Sequence, residues 1–258
     1  MRQTFGRTIF GAALAGLVFG AFAQPASAIE ISKHAKDSAE VNAILVKGVI
    51  NQGDTFELQA YIASLPKKPH IVIFLSSPGG NLAEGMKLGR FFYDRKIETA
   101  IETKTFCASA CALAFLGGRD DSGKPLRTKA ANSGLGFHAF TREFDKDKSY
   151  TAEDLKVVVQ RTQSTVYVVA DYLKAINTDM DIIRIMLKAQ NNEMNFISND
   201  DAITFGVRVW DEKRKQIIEP DFVLNRLGAR SASAATPATA SPAAIAPVRS
   251  EARGKSPT

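Results

Sequence analysis

Apolar positions along this chain fall into two periods that alternate from one segment to the next. Ala43 to Ile50 (AILVKGVI) is apolar and β-branched and predicts a strand. From Gly53 to Leu65 the apolar residues stand at Phe56, Leu58, Tyr61, Ile62 and Leu65, the spacing of a helix lying on a sheet. His70 to Leu75 (HIVIFL) is a nearly unbroken apolar run, as expected of a parallel strand covered on both faces. Ser76 to Gly80 ends it, and helical spacing returns from Leu82 to Arg95 through Leu82, Met86, Leu88, Phe91 and Phe92. Ile97 to Glu102 predicts a short strand. Ser109 to Leu116 predicts a small apolar helix stopped by Gly117-Gly118, and Leu135 to Phe140 another strand. Thr151 to Ile176 predicts a long amphipathic helix, opened by Thr151 with Glu153 and Asp154 in its first turn. Asp179 to Ala189 is a further helix, and Phe196 to Ser198 predicts a strand or turn before a short helix over Asp200 to Phe205. Strands alternating with helices imply right-handed crossovers and a mostly parallel sheet, hence an α/β fold.

The two ends follow neither period. Arg2 and Arg7, the apolar run from Thr8 to Ala23, and then Ala26-Ser27-Ala28 have the order of a secretory signal peptide. Cleavage is expected after Ala28, which places the protein in the periplasm or outside the cell. The alternative, an uncleaved anchor, meets a run that is short against the roughly 20 residues of a membrane span. Residues 229–258 are mostly Ala, Ser, Pro and Thr, a composition that cannot offset its ordering entropy by burial, so a disordered tail is expected. Residues 29–228 then form one domain with room for a substantial core.

Charge changes little in this picture. The formal net charge is +6, of which Arg2 and Arg7 supply two and the tail a net three, leaving +1 on the rest. No basic stripe with interleaved aromatics is present, so nucleic acid is not an expected partner. Three histidines and two cysteines, scattered but for the pair Cys107 and Cys111, make no metal-ligand set, and no metal or cofactor is expected. Residues four apart on a helix lie about 6 Å apart at Cα. A disulfide is therefore open to Cys107 and Cys111 if their Cβ atoms converge, and export favours it. The alternative is a pair of small buried hydrophobes.

Three local signals could carry chemistry. Ser77-Pro78-Gly79-Gly80 follows a buried strand, and its glycines permit a backbone whose N–H groups turn toward a ligand. The same residues also make an ordinary strand-to-helix turn. Phe106 to Cys111 places Ser109 among small residues at the start of an apolar helix. There it is either a nucleophile at the helix's positive end or an N-cap. Gly136-Phe137-His138-Ala139-Phe140 places an imidazole in an apolar strand. It suits a general base, and equally a buried histidine bonded to backbone.

Taken together, the order of these segments resembles the Clp protease proteolytic subunit and its crotonase-like relatives. The resemblance runs from about Ile44 to Val209. It is carried by Ile71 to Gly80 (IVIFLSSPGG), Ala108-Ser109-Ala110, Gly136-Phe137-His138, and Phe196 to Ala202 with Phe205-Gly206-Val207. It implies a stacked ββα spiral of the ClpP/crotonase kind, a mostly parallel sheet flanked by helices. It also implies Ser109 as nucleophile, His138 as general base, and the N–H groups of Gly80 and Ala110 as the oxyanion hole. One such donor is typically worth about 3–4 kcal/mol of transition-state stabilisation.

The third member of the family's triad has no counterpart. Where the family carries an aspartate two residues before the late phenylalanine, this chain has Met194, which cannot orient an imidazole. Glu193 or Asn195 could take the role if the register shifts by one, Asn192 is a further candidate, and a Ser–His dyad is the remaining option. The resemblance implies a serine hydrolase, a peptidase acting on peptides or unfolded segments. An exported copy meets no ATP, so no ATP-driven unfoldase is expected as partner. The long helix at Thr151–Ile176 occupies the place of the family's handle, and a homo-oligomer is expected. The competing expectation, from the loss of the acid, is a catalytically weak scaffold or peptide-binding protein of the envelope.

Overall fold

The computed structural model describes residues 29–139, 147–188 and 193–220. The segments expected as signal peptide and tail lie outside the described residues, as do Phe140, Ala189 and Asn192. The described chain runs β1 (Glu30–Lys33), β2 (Val41–Lys47), α1 (Asp54–Ser64), β3 (His70–Ser76), α2 (Leu82–Arg95), β4 (Glu98–Ile101), β5 (Phe106–Ala108) and α3 (Ala110–Phe115). It continues through β6 (Arg127–Ala130), β7 (Gly134–Phe137), α4 (Ala152–Ala175), α5 (Asp181–Lys188), β8 (Asn195–Phe196), α6 (Asn199–Thr204), β9 (Arg208–Asp211) and β10 (Gln216–Ile218).

The fold is mixed α/β. Its main sheet has the order β1-β2-β3-β4-β6-β9-β10, parallel from β2 to β9 with an antiparallel strand at each edge. A second, three-stranded sheet, β5-β7-β8, joins β5 and β7 in parallel and β7 and β8 antiparallel. Helices α2 and α4 begin at side-chain caps. Asn81 caps α2 by accepting from the Glu84 N–H, and Thr151 and Asp154 close a capping box at the start of α4.

The unbroken apolar run of β3 feeds two clusters of different thickness. Ile73 and Leu75 join the main core, to which all six described helices contribute buried side chains, among them Leu58, Leu88, Phe115, Leu173, Met186 and Ile203. Phe74 faces the other way, in a thin cluster with Ala43 and Ala100 that contains no helical residue. There His34 stacks on Phe74 with ring centroids 3.9 Å apart. The expected helical cover on both faces is therefore corrected: among the described residues, the helices bury one face. Periodicity reports that a side chain is covered, not what covers it.

Strand β6 (RTKA) has no apolar period, yet its Arg127 and Lys129 are almost wholly buried. The Arg127 guanidinium donates to the carbonyls of Leu116, Phe205 (2.9 Å) and Gly206 (3.3 Å) and to the Thr178 hydroxyl at 3.2 Å. The Arg119 guanidinium donates to the carbonyls of Leu116, Gly118 and Ile176, with Tyr93 beneath it. Two buried cations thus gather the carbonyl ends of α3, α4 and α6 at one point, where helix dipoles leave partial negative charge. Burial pulls the Arg127 guanidinium down to about 9, and Arg119 beside it acts in the same direction.

Candidate active site

Ser109 lies between β5 and α3, at a sharp strand-to-helix turn. Its backbone stands at φ 57, ψ −125, one of the few positive-φ positions not occupied by glycine. Such a conformation costs about 1–3 kcal/mol and persists only where the surroundings impose it. Ser109 occupies the N-cap position of α3, but its side chain makes no capping bond. The hydroxyl is instead half-exposed and 2.7 Å from His138 Nε2.

Strand register brings these two residues together. In the parallel pair β5–β7, Ala108 lies opposite Gly136, and the Ser109 N–H donates to the Gly136 carbonyl at 2.9 Å. His138 follows directly after β7, so both side chains emerge at the same end of the small sheet. His138 Nδ1 is 2.7 Å from the Ala139 carbonyl oxygen. A carbonyl can only accept, so that contact assigns the ring proton to Nδ1 and leaves the Nε2 lone pair to accept from Ser109. That is the tautomer a general base needs.

The glycine turn packs against the same serine. Ser77 forms a bridge with Cys107, which carries the Ser77–Gly80 segment alongside β5. A Cβ on Gly79 (φ +100) would stand 2.6 Å from Ser109 Cβ and 3.0 Å from the Ala110 nitrogen, so only glycine fits. On its other side the turn is tied down by Ile50, whose N–H donates to the Gly79 carbonyl at 2.8 Å and whose carbonyl accepts from Asn81 at 2.8 Å. These bonds pass over the Gly80 N–H. Ala110 opens α3, so its N–H has no intrahelical acceptor either. Among the described residues both donors are without a partner, beside a half-exposed hydroxyl.

Helix α3 is buried at every position, and its place is held from three sides. Gly85 of α2 allows contact with Ala110, where a Cβ would meet Ala110 Cβ at 2.8 Å. The Tyr172 hydroxyl of α4 donates to the Leu113 carbonyl at 2.7 Å, and burial raises that phenol's pKa. Both buried arginines hold the Leu116 carbonyl at the far end. Within the turn itself, Cys107 and Cys111 are joined by a disulfide, with 5.2 Å between their Cα atoms.

Neither Glu193 nor Asn195 is bonded to the imidazole among the described residues, and Asn192 lies outside them. Asn195 pairs with Phe137 across β7–β8, and its side-chain amide reaches the Ile185 carbonyl at 3.5 Å. Glu193 is exposed. Met194 packs on β7, where a Cβ on Gly136 would come within 2.9 Å of its Cγ and Sδ. The partner at Nδ1 is the Ala139 carbonyl, which no side-chain motif could have signalled. Away from these residues, Lys129 of β6 is buried with its amine 2.6 Å from the Asn199 side-chain oxygen, and burial pulls that amine down to about 8. Among the described residues no group of His, Cys, Asp and Glu side chains could hold a metal ion. No protein-family model matches this sequence, and no curated protein matches it either.

Proposed function

We propose that this chain is an exported serine hydrolase of the Clp-protease-like kind, a peptidase that works without ATP. The observation that carries the reading is the 2.7 Å contact between Ser109 Oγ and His138 Nε2, beside the unclaimed N–H groups of Gly80 and Ala110. Ser109 attacks the acyl carbon while His138 takes its proton. The two N–H groups receive the developing oxyanion, and His138 then returns the proton to the leaving group. The pairing of a main parallel sheet with a small second sheet carrying both residues supports a crotonase-like spiral. Leu155, Val159, Tyr167 and Val168 are exposed apolar side chains on α4, and they support association of copies through that helix.

One observation favours the second reading, a catalytically weak peptide-binding protein. The Nδ1 partner is a neutral carbonyl, which orients the ring but does not offset the charge of an imidazolium as a carboxylate would. Covalent labelling by a fluorophosphonate decides between them. The hydrolase reading expects wild type to label and Ser109→Ala not to, with His138→Ala slower by about 10²–10⁴-fold. Equal labelling of wild type and Ser109→Ala would leave only the binding role. A fluorogenic peptide assayed without ATP then tests the substrate class.

A further inference from the structure

The Cys107–Cys111 disulfide has no part in the reaction proposed above, yet it spans the reacting serine. Cys107 is the middle residue of β5 and Cys111 the second residue of α3, so the bond closes a five-residue ring with Ser109 at its centre. The same ring contains Ala110, one of the two unclaimed N–H donors. Its strand end is fastened on both sides, by the Cys107 bridge to Ser77 and the pairing with Leu135. Its helix end is fastened by the contacts of α3 with α2 and Tyr172. Between the two ends, Ser109 stays at φ 57 with no capping bond of its own side chain. A non-glycine residue in that conformation relaxes toward negative φ unless its neighbours forbid it.

We infer that the Cys107–Cys111 disulfide is the positioning device of this site, and that Cys107 and Cys111 are positioning residues for acyl transfer at Ser109. The inference rests on the hydrolase reading. Relaxing Ser109 would swing the first turn of α3 relative to β5, and the bond between Cys107 and Cys111 opposes that swing. Freed from it, the turn carries the Ser109 hydroxyl away from His138 and rotates the Ala110 N–H with it. Both cysteines are 0 % exposed, which suits a permanent clamp rather than a surface redox sensor.

Four preparations of the purified protein test this: the oxidised wild type, the wild type reduced with a phosphine in urea and refolded under reducing conditions, the reduced protein re-oxidised with glutathione disulfide while unfolded and then refolded, and the double variant Cys107→Ala/Cys111→Ala. Fluorophosphonate labelling over a concentration series separates probe affinity from the rate constant of inactivation. Circular dichroism and thermal melting follow the fold. Losing the bond is expected to lower the inactivation rate constant by about 10–100-fold, as misplacement of a reacting group does. Affinity and the cooperative melt are retained, and re-oxidation restores the rate. A merely structural bond would not produce that split. Reduced and double-variant proteins reacting within about twofold of wild type would overturn the inference. If the double variant fails to fold, the reduced protein decides in the same way. Collapse of the fold on reduction would also overturn it, because the bond would then support the domain rather than the turn. Oxidised wild type labelling no faster than Ser109→Ala is a separate outcome, which removes the hydrolase reading and the inference with it.

Discussion

Replacing Gly79 with alanine adds one methyl group between the glycine turn and Ser109. Its Cβ would stand 2.6 Å from Ser109 Cβ and 2.7 Å from the Ala108 carbonyl oxygen, on a backbone at φ +100. Holding an alanine in that conformation costs about 1–3 kcal/mol. Carbon atoms attract best at about 3.5–4.0 Å, so the methyl displaces Ser109 by about 1 Å. Overpacking of this kind adds about 1–3 kcal/mol, for roughly 2–6 kcal/mol in all. The same displacement takes the Ser109 hydroxyl out of its 2.7 Å contact with His138. A reacting group misplaced by about 1 Å loses about 10²-fold in rate.

Gly53→Ala is the matched control. Gly53 has φ +104, yet a Cβ there would meet nothing within 4 Å. It should lose only the backbone part of the stability, lowering the melting temperature by about 2–4 °C per kcal/mol. Labelling by fluorophosphonate should stay at the wild-type rate. The two variants are compared by labelling rate and thermal melt at one temperature below both transitions. Gly79→Ala reacting like wild type, or Gly53→Ala slowing labelling as much, refutes the close approach of the turn to Ser109.

Two predictions concern the buried cations. Arg127→Met leaves the Phe205 carbonyl without its donor and the Leu116 carbonyl with Arg119 alone, and should lower stability in urea by about 2–4 kcal/mol. An unchanged midpoint would show that the guanidinium does not hold the helix ends. Burial places the Lys129 amine at about 8 in the folded chain, against about 10.4 in the unfolded one. Between those values the unfolded chain binds more protons, so stability rises with pH, by about 3 kcal/mol in all from this group. Below about pH 8 both forms are charged and the burial cost is complete. Lys129→Met should flatten the difference between urea titrations near pH 8 and pH 10 by about 2 kcal/mol, the part of that total falling in this window, and an unaltered slope would count against it.

Elements whose own residues carry the signal were legible in the sequence. The helix expected over Leu82–Arg95 is α2 with the same bounds, and the Thr151 cap of α4 is where the polar first turn puts it. The strand expected at His70–Leu75 is β3, longer by one residue. Strands β1, β5, β6, β9 and β10 have between three and four residues each, too short for a period to declare itself. In β6 the sequence carries no sign of burial, because the carbonyls that compensate Arg127 come from the distant ends of α3 and α6.

By itself the sequence determined the alternation of strands and helices, the α/β class, and the residue types able to do acyl chemistry. Each of these follows from neighbours along the chain: apolar period, caps, and a serine or imidazole beside small residues. Contact between Ser109 and His138 was decided only by tertiary structure, through the register that sets Ala108 against Gly136. So were the positive φ of Ser109, the fit of Gly79 against it, and the carbonyl that orients the imidazole. The physical reason is range. A hydrogen bond or a steric contact is fixed to tenths of an ångström by backbones brought together from remote parts of the chain, and local composition holds no record of that distance.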